Sequence, residues 1–491
     1  MASLVSLRNY AEPHPITKLP DEILAEIFLQ LIRMHDPRGV TILLKDYRPH
    51  GWLELGHVCR AWRHLLLDYP VFWSRIILSE VYPERVKLFL ERSRKCPIEV
   101  EGKHARKETQ AFWSITLWRE CSRWVRAEVT INRNVVKEFK TPLQMPLLED
   151  LYVTMDDVVD FPPLTHAAIP RLKNLECKSC PWKALRGWFR PTLTCIRVSG
   201  LARGNLPSTS DWLDVLRDLP SLRELHLMRG SIAPQAVVSL IDNPGVLVHL
   251  PCLETFHVAQ YASSVCAATH LLTLISVHPS CCIRLEVMPF YWSVPLDTMK
   301  SIIDALASKM STFRIPFDAF YTGMELQMPQ GQWLDVNLGR RAQTNASLNT
   351  SAVEYQLHVT IDLSGEEESY VSDLINHIWS STLISSMTSL TVEELGSNAT
   401  HTIAPADLRR ASGVEVLHIA CHATLALFAD ILEAHLRTPE EEDPFPHLRL
   451  LTIDKEKVRP PRDWDRTPLD RVLDALARRE NLGLGPHCVL K

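Results

Sequence analysis

Four groups of residues have types and spacings that bear on chemistry. Cys177 and Cys180 stand at C-x-x-C spacing, half of a zinc site, and Cys281 and Cys282 follow as a second thiol pair. No further C-x-x-C and no histidine pair stands at zinc-finger distance, and Cys177 falls where a sister segment has Leu227. The thiols therefore read as small core hydrophobes. His418 and His422 form an H-x-x-x-H pair, but HIACH lacks the glutamate after the first histidine, and His418 falls in a predicted strand instead of on a helix. Cys488 lies four from the last residue, as prenylation requires, yet the last residue is Lys491 and no polybasic run precedes it. A G-x-S-x-G elbow, a Walker A loop and a G-x-G-x-x-G turn are all missing. No nucleophile and base are nominated, no metal or cofactor is expected, and the chain reads as a non-enzyme.

Composition narrows the field further. A net charge of -5 over 491 residues is not that of a phosphate-binding protein, so no nucleic-acid partner is expected. Glycine is scarce at 17 and proline plentiful at 33, which suits many short punctuated segments. The first residues have no apolar run of signal-peptide length, and no window reaches the ~18 apolar residues of a membrane span. The expectation is a cytoplasmic or nuclear protein without a membrane partner, its twelve cysteines reduced and the sequons at Asn345, Asn349 and Asn398 without consequence.

One stretch, Ile16 to Ile76, concentrates large apolar side chains. Pro20 suits a first helical turn, and Asp21 and Glu22 place negative charge at the positive end of the helix dipole, so a helix begins there. Ile23, Leu24, Ile27, Phe28 and Leu31 form its apolar stripe, with Glu22, Glu26 and Gln30 on the other side. A second helix is predicted over 53–67, with Leu55, Val58, Trp62 and Leu65 or Leu66 on one face, and Pro70, Val71, Phe72 and Trp73 close the unit. The periodicity leaves two readings open: every apolar residue is internal, or a surplus remains for a partner.

LPDEILAEIFLQL joined to HVCRAWRHL and PVFW resembles the F-box-like motif, in the form common among mushroom-forming fungi. The likeness rests on Leu19-Pro20, the Ile23, Leu24, Ile27, Phe28 ladder, Val58-Cys59-Arg60-x-Trp62-Arg63, and Pro70, Phe72 and Trp73. The segment from Arg33 to Gly51 is longer than in a minimal F-box, and a loop is expected there. The resemblance implies docking on a Skp-family adaptor and, through it, a cullin. Carried over position by position, the adaptor contacts it implies are Leu19, Pro20, Ile23, Leu24, Ile27, Val58 and Trp62.

Behind this module the chain changes character. A charged helix is expected over 84–95, strands over 97–101 and 126–131, and a helix over 111–125 carrying Trp113, Leu117, Cys121 and Trp124. Then a phrase recurs: MPLLEDLYV, IPRLKNLEC, RPTLTCIRV, LPSLRELHL and LPCLETFHV, with prolines at 146, 170, 191, 220 and 251. That spacing is of leucine-rich type, one short strand per repeat, with Leu225 and Leu227 inward and Glu224, His226 and Met228 on the other side. Weaker copies follow in MSTFRIPF, MTSLTVEEL, GVEVLHIAC and PHLRLLTID. Helices are expected between them over 211–219, 234–242, 265–277, 296–310, 370–384, 422–436 and 468–479. The acidic run 440–443 reads as a solvated loop.

The fold class expected is therefore α/β: a flexible stretch 1–15, a three-helix F-box-like domain 16–80, a linking α/β segment 81–140, and an irregular leucine-rich-like solenoid 141–491 with a loop insertion at 323–353. The function that follows is substrate recognition for a cullin-RING ubiquitin ligase, with a protein substrate held on outward strand positions, for which Arg197, Glu224, His226, Met228, Thr255 and His257 are the candidates. The alternative is a scaffold that binds the adaptor alone.

Overall fold

The structure is a computed structural model. It describes residues 16, 19–34, 51–78, 84–102, 116–131, 136, 143–155, 168–202, 206–234, 247–278, 280–288, 295–312, 323–327, 333–341, 353–362, 368–380, 388–392, 412–420, 422–438, 443–454, 467–481 and 489–490. The chain divides into two units, one of Met1–Asp156 with Leu164–Arg171, the other of Asp157–Pro163 with Leu172–Lys491.

The first unit opens with helix α1, Asp21–Met34. Its first turn is fixed by the Pro20 carbonyl, which accepts from the amides of Ile23 at 3.0 Å and Leu24 at 3.1 Å. A 3-10 turn, Gly51–His57, and helix α2, Arg60–Asp68, follow. The predicted second helix is thus broken at Val58 and Cys59: the Cys59 sulfur accepts the Trp62 amide at 3.5 Å and caps α2, so Leu53 and Leu55 belong to the tighter turn before it. Pro70–Trp73 forms another 3-10 turn and leads directly into strand β1, Arg75–Ile77.

Helix α3 spans Glu84–Arg92 and stops short of the expected 95. Strands β2, Ile98–Glu101, β3, Trp124–Ile131, and β4, Asp150–Met155, each pair in parallel with the strand before, so the segment expected as a linker builds one sheet with the end of the N-terminal module. The helix expected over 111–125 ends early. Cys121–Arg123 is a 3-10 turn and Trp124 already begins β3, because the Arg123 side chain ties the turn down on the Cys96 carbonyl, Ser93 and Glu120 at 2.9, 2.8 and 2.9 Å. The segments 1–15, 35–50 and 103–115 lie outside the described residues.

The second unit places a strand on each remaining strong copy of the phrase. These are β5, Asn174–Lys178, β6, Cys195–Ser199, β7, Glu224–Met228, and, after the short β8, Val248–Leu250, strand β9, Thr255–Tyr261. Helices α4, Trp182–Arg186, and α5, Thr209–Leu216, stand between them; α5 begins before the expected 211 because Ser208 and Asp211 form a reciprocal cap, amide to side chain at 2.9 and 3.2 Å. Helix α6, Ala262–Leu274, ends three residues before the expected 277, where Ile275–Val277 becomes β10 and pairs with β8. Strand β11, Cys282–Met288, and helix α7, Leu296–Thr312, come next.

The stretch 323–353, expected as a loop, instead carries strands β12, Gly323–Gln327, and β13, Trp333–Arg341, followed by β14, Val353–Asp362. They enter the sheet in the order β11, β14, β13, β12, with β13 antiparallel to both neighbours. Helix α8, Glu368–Ser380, strands β15, Ser389–Val392, and β16, Val416–Ile419, helix α9, His422–Arg437, strand β17, Leu450–Ile453, helix α10, Pro468–Asn481, and strand β18, Val489–Leu490, complete the unit. Among the described residues the other strand pairings of this unit are parallel. Of the phrase MSTFRIPF, Met310 to Thr312 are the end of α7 and the rest lies outside the described residues, as do 235–242 and 381–384.

Alternation along the strands decides the core. Leu225, Leu227, Phe256, Val258, Ile283 and Leu285 are buried, whereas the residues between them stand half-exposed or exposed, Ala259 and Gln260 excepted. Cys177 and Cys180 are fully buried among them as core thiols. Among the described residues no group of three or more His, Cys, Asp or Glu could hold a metal ion, and no helix is long and apolar enough to cross a membrane. Asp443, the end of the expected acidic loop, is drawn onto the buried Arg479.

Candidate protein-docking site

Helix α1 separates its apolar stripe into two faces. Leu24 and Phe28, one turn apart, are buried, and Phe28 meets Trp62 edge-on at 4.8 Å and Phe72 at 6.3 Å. Leu65 and Leu66 from α2 and Phe72 and Trp73 from the closing turn fill the remainder of this core. Trp73 donates its indole N–H to the Leu66 carbonyl at 2.7 Å, packs edge-on against Trp52 and Phe89 at 5.3 and 5.0 Å, and carries the Arg92 guanidinium 4.3 Å above its ring. Each such ring pair adds about 0.5–1.5 kcal/mol beyond burial. The small core is full.

Ile23 and Ile27, also one turn apart, are left outside it at 50% and 36% exposure, and Val58, at the break before α2, is 61% exposed. Pro20 is exposed, and Leu19 and Trp62 are half-exposed. Of the seven positions nominated from sequence, six therefore offer surface and one does not. Leu24 is 5% exposed, so it holds α1 to the core and offers little surface of its own. Leu67 and Val71, each 38% exposed, are further apolar surface that the sequence reading passed over, since an i, i+4 count ascribes such residues to the core.

In the second unit the six nominated strand residues, Arg197, Glu224, His226, Met228, Thr255 and His257, are half-exposed, and most are in mutual contact. Arg197, His226 and His257 occupy one register line across β6, β7 and β9, and Arg284 of β11 continues it. One oxygen of Glu224 accepts from Arg197 at 2.8 Å and from the Cys195 thiol at 3.4 Å, and the Nε2 of His226 lies 3.5 Å from it. The rings of His226 and His257 meet edge to face at 5.5 Å, and His257 bonds Glu286 at 3.0 Å. Arg284 and Glu286 were missed because β11 carries no proline-led phrase, although CIRLEVM alternates clearly.

Protonation states follow from this packing. Burial pushes the Cys195 thiol up to about 12 against the pull of Arg197, with Glu224 adding to the rise, so Cys195 stays a donor. Burial also works to raise Glu224, but the hydrogen bonds and charges of Cys195, Arg197 and His226 outweigh it and hold its carboxyl below the usual range. Burial lowers His226, with Arg197 and His257 acting in the same direction. The arrangement is an anchored carboxylate among donors; it has no activated nucleophile.

Residues 16–79 match the family model described as F-box-like. This segment is an F-box-like domain. No curated protein matches the chain closely enough to count as a relative. F-box domains typically bind Skp-type adaptors, and the match, which ends at residue 79, includes the Pro70–Trp73 turn and the whole of β1, Arg75–Ile77.

Proposed function

We propose that the chain is the substrate-recognition subunit of an SCF-type cullin-RING ubiquitin ligase, working in the cytoplasm or nucleus and doing no bond chemistry of its own. The F-box-like domain docks on a Skp-family adaptor and through it a cullin; the parallel-strand region behind it is an irregular leucine-rich-like solenoid, beginning near residue 141, that holds a protein substrate. Its contribution to catalysis is proximity: a substrate lysine kept near the charged ubiquitin carrier reacts as if at high local concentration.

The observation that carries this reading is the surplus at Ile23, Ile27 and Val58 on a domain whose own core is already filled by Leu24, Phe28, Leu65, Leu66, Phe72 and Trp73. Apolar anchors on a helix are the usual currency of helix-in-groove recognition, in which a few residues supply most of the affinity. The experiment is co-purification of the full chain with a Skp-family adaptor and a cullin. Leu19→Ala with Pro20→Ala should lose both while the circular dichroism spectrum is kept. Retention of the adaptor by that double variant would overturn the assignment.

A further inference from the structure

A parallel sheet is normally covered on both faces. Here strands β5, β6, β7, β9 and β11 bury one face and leave the other half-exposed, with polar and charged side chains at Glu176, Lys178, Arg197, Glu224, His226, His257, Arg284 and Glu286. Of its three carboxylates, Glu224 is held by Arg197 and the Cys195 thiol with His226 beside it, Glu286 is held by His257, and the exposed Glu176 stands in register opposite Arg197. The cations are less evenly matched. Lys178 and Arg284 are exposed, and Arg229, at the end of β7, reaches across the strand ends to the Met288 sulfur at 3.0 Å. Among the described residues no carboxylate pairs with Arg229 or Arg284, and sulfur is a poor substitute for one.

We infer that this open sheet face binds an acidic protein segment laid across the strands, with Arg284 and Arg229 as its first contacts and Arg197 recruited from Glu224. This rests on reading the second unit as the recognition part of the chain. Charge complementarity selects the occupant at the β7 to β11 end of the face, where the groups without a carboxylate are Arg229 and Arg284; Glu176, opposite Arg197 on β5, leaves the other end balanced. The fork-shaped guanidinium groups take carboxylates two oxygens at a time. Arg197 and Arg284 sit three strands apart, about 14 Å at ~4.8 Å per strand, close to the separation of side chains four apart in an extended chain at ~3.4 Å per residue. The Arg197 to Glu224 pair, about 40% exposed on both sides, is the kind of surface ion pair that exchanges partners at little cost. Glu224 thus occupies the place an incoming carboxylate would take, and the surface competes with its own acid for Arg197.

That competition supplies a test with two signs. A fluorescent decapeptide alternating Glu and Ser is titrated into the full chain at low salt, beside Gln-Ser and Lys-Ser peptides of equal length and a single-stranded ten-nucleotide oligomer. The acidic peptide should bind and the other peptides should not. Arg229→Glu with Arg284→Glu should weaken it at least tenfold, whereas Glu224→Gln should tighten it severalfold by freeing Arg197. Glu254→Gln makes the same change of charge at the exposed Arg223 to Glu254 pair and should change little. Equal binding of the Lys-Ser peptide, tighter binding of the oligonucleotide, or no response to the double reversal would overturn the inference. An equal gain from Glu254→Gln would also overturn it, by showing a net-charge effect alone. Adaptor capture by the same variants is the separate arm: it should be unchanged, and its loss in wild type would break the ligase reading without touching this one.

Discussion

The F-box-like domain and the open sheet face expose opposite chemistry. On the first, what projects from a filled core is aliphatic: Ile23, Ile27 and Val58. On the second, core aliphatics such as Leu225 and Leu227 are fully buried, and what projects is mostly charged or imidazole, with Met228 and Thr255 among it. An aliphatic surface gains affinity by leaving water and has no charge to titrate or screen, which suits a constant partner. A surface of ion pairs and histidines gains discrimination from charge and loses it to screening, which suits a variable partner.

The comparison can be broken first at neighbouring residues of α1. Leu24→Asp places a carboxylate in the core beside Phe28 and should unfold the F-box-like domain, whereas Ile23→Asp should leave its melting within a few degrees of wild type. Hydrogen exchange of the α1 and α2 segments, followed with temperature, separates the two outcomes. If both variants melt alike, the division of the stripe into a core face and a docking face is wrong.

A smaller effect is expected within the sheet. Leu227→Ala should cost about 2–5 kcal/mol by denaturant titration, the usual price of a cavity, while Met228→Ala, one residue on and half-exposed, should cost about 1 kcal/mol or less. Comparable losses would mean that the outward row is itself packed and unavailable to a partner.

Smallest is a dependence on pH. Burial first, and then Arg197 and His257, hold His226 below the ordinary histidine value, so the unfolded chain takes up this proton more readily than the folded one. Its contribution is complete above the ordinary value of about 6.5 and is lost as pH falls below it toward the depressed folded value. His226→Asn should flatten the slope of stability against pH in that window, read from denaturation midpoints. An unchanged slope would remove His226 from the account.

Much of this was legible in the sequence where the pattern was strong. The proline-led phrases predicted β4, β5, β6, β7 and β9, and Pro20-Asp21-Glu22 predicted the start of α1. Two kinds of feature were not legible. Periodicity groups Ile23 with Leu24, yet only the tertiary packing of α1, whose Phe28 meets Trp62 and Phe72, decides that Leu24 is covered and Ile23 is not. In 323–353 the polar composition concealed real alternation, with Leu334, Val336 and Leu338 two apart in β13, because that strand lacks the repeat phrase and runs antiparallel. Arg123 shows the same limit at short range, since side-chain bonds to Cys96, Ser93 and Glu120 end a helix that propensity would continue.

The docking face proposed for the F-box-like domain is the aliphatic surface left outside its core, at Ile23, Ile27 and Val58. It is tested most directly by calorimetric titration of a purified Skp-family adaptor into the full chain, comparing wild type with Ile23→Asp plus Val58→Asp. Wild type should bind, and the double variant should lose at least a hundredfold in affinity, about 2.7 kcal/mol at 1.4 kcal/mol per tenfold, with its melting curve intact. Undiminished binding by a folded double variant would contradict it.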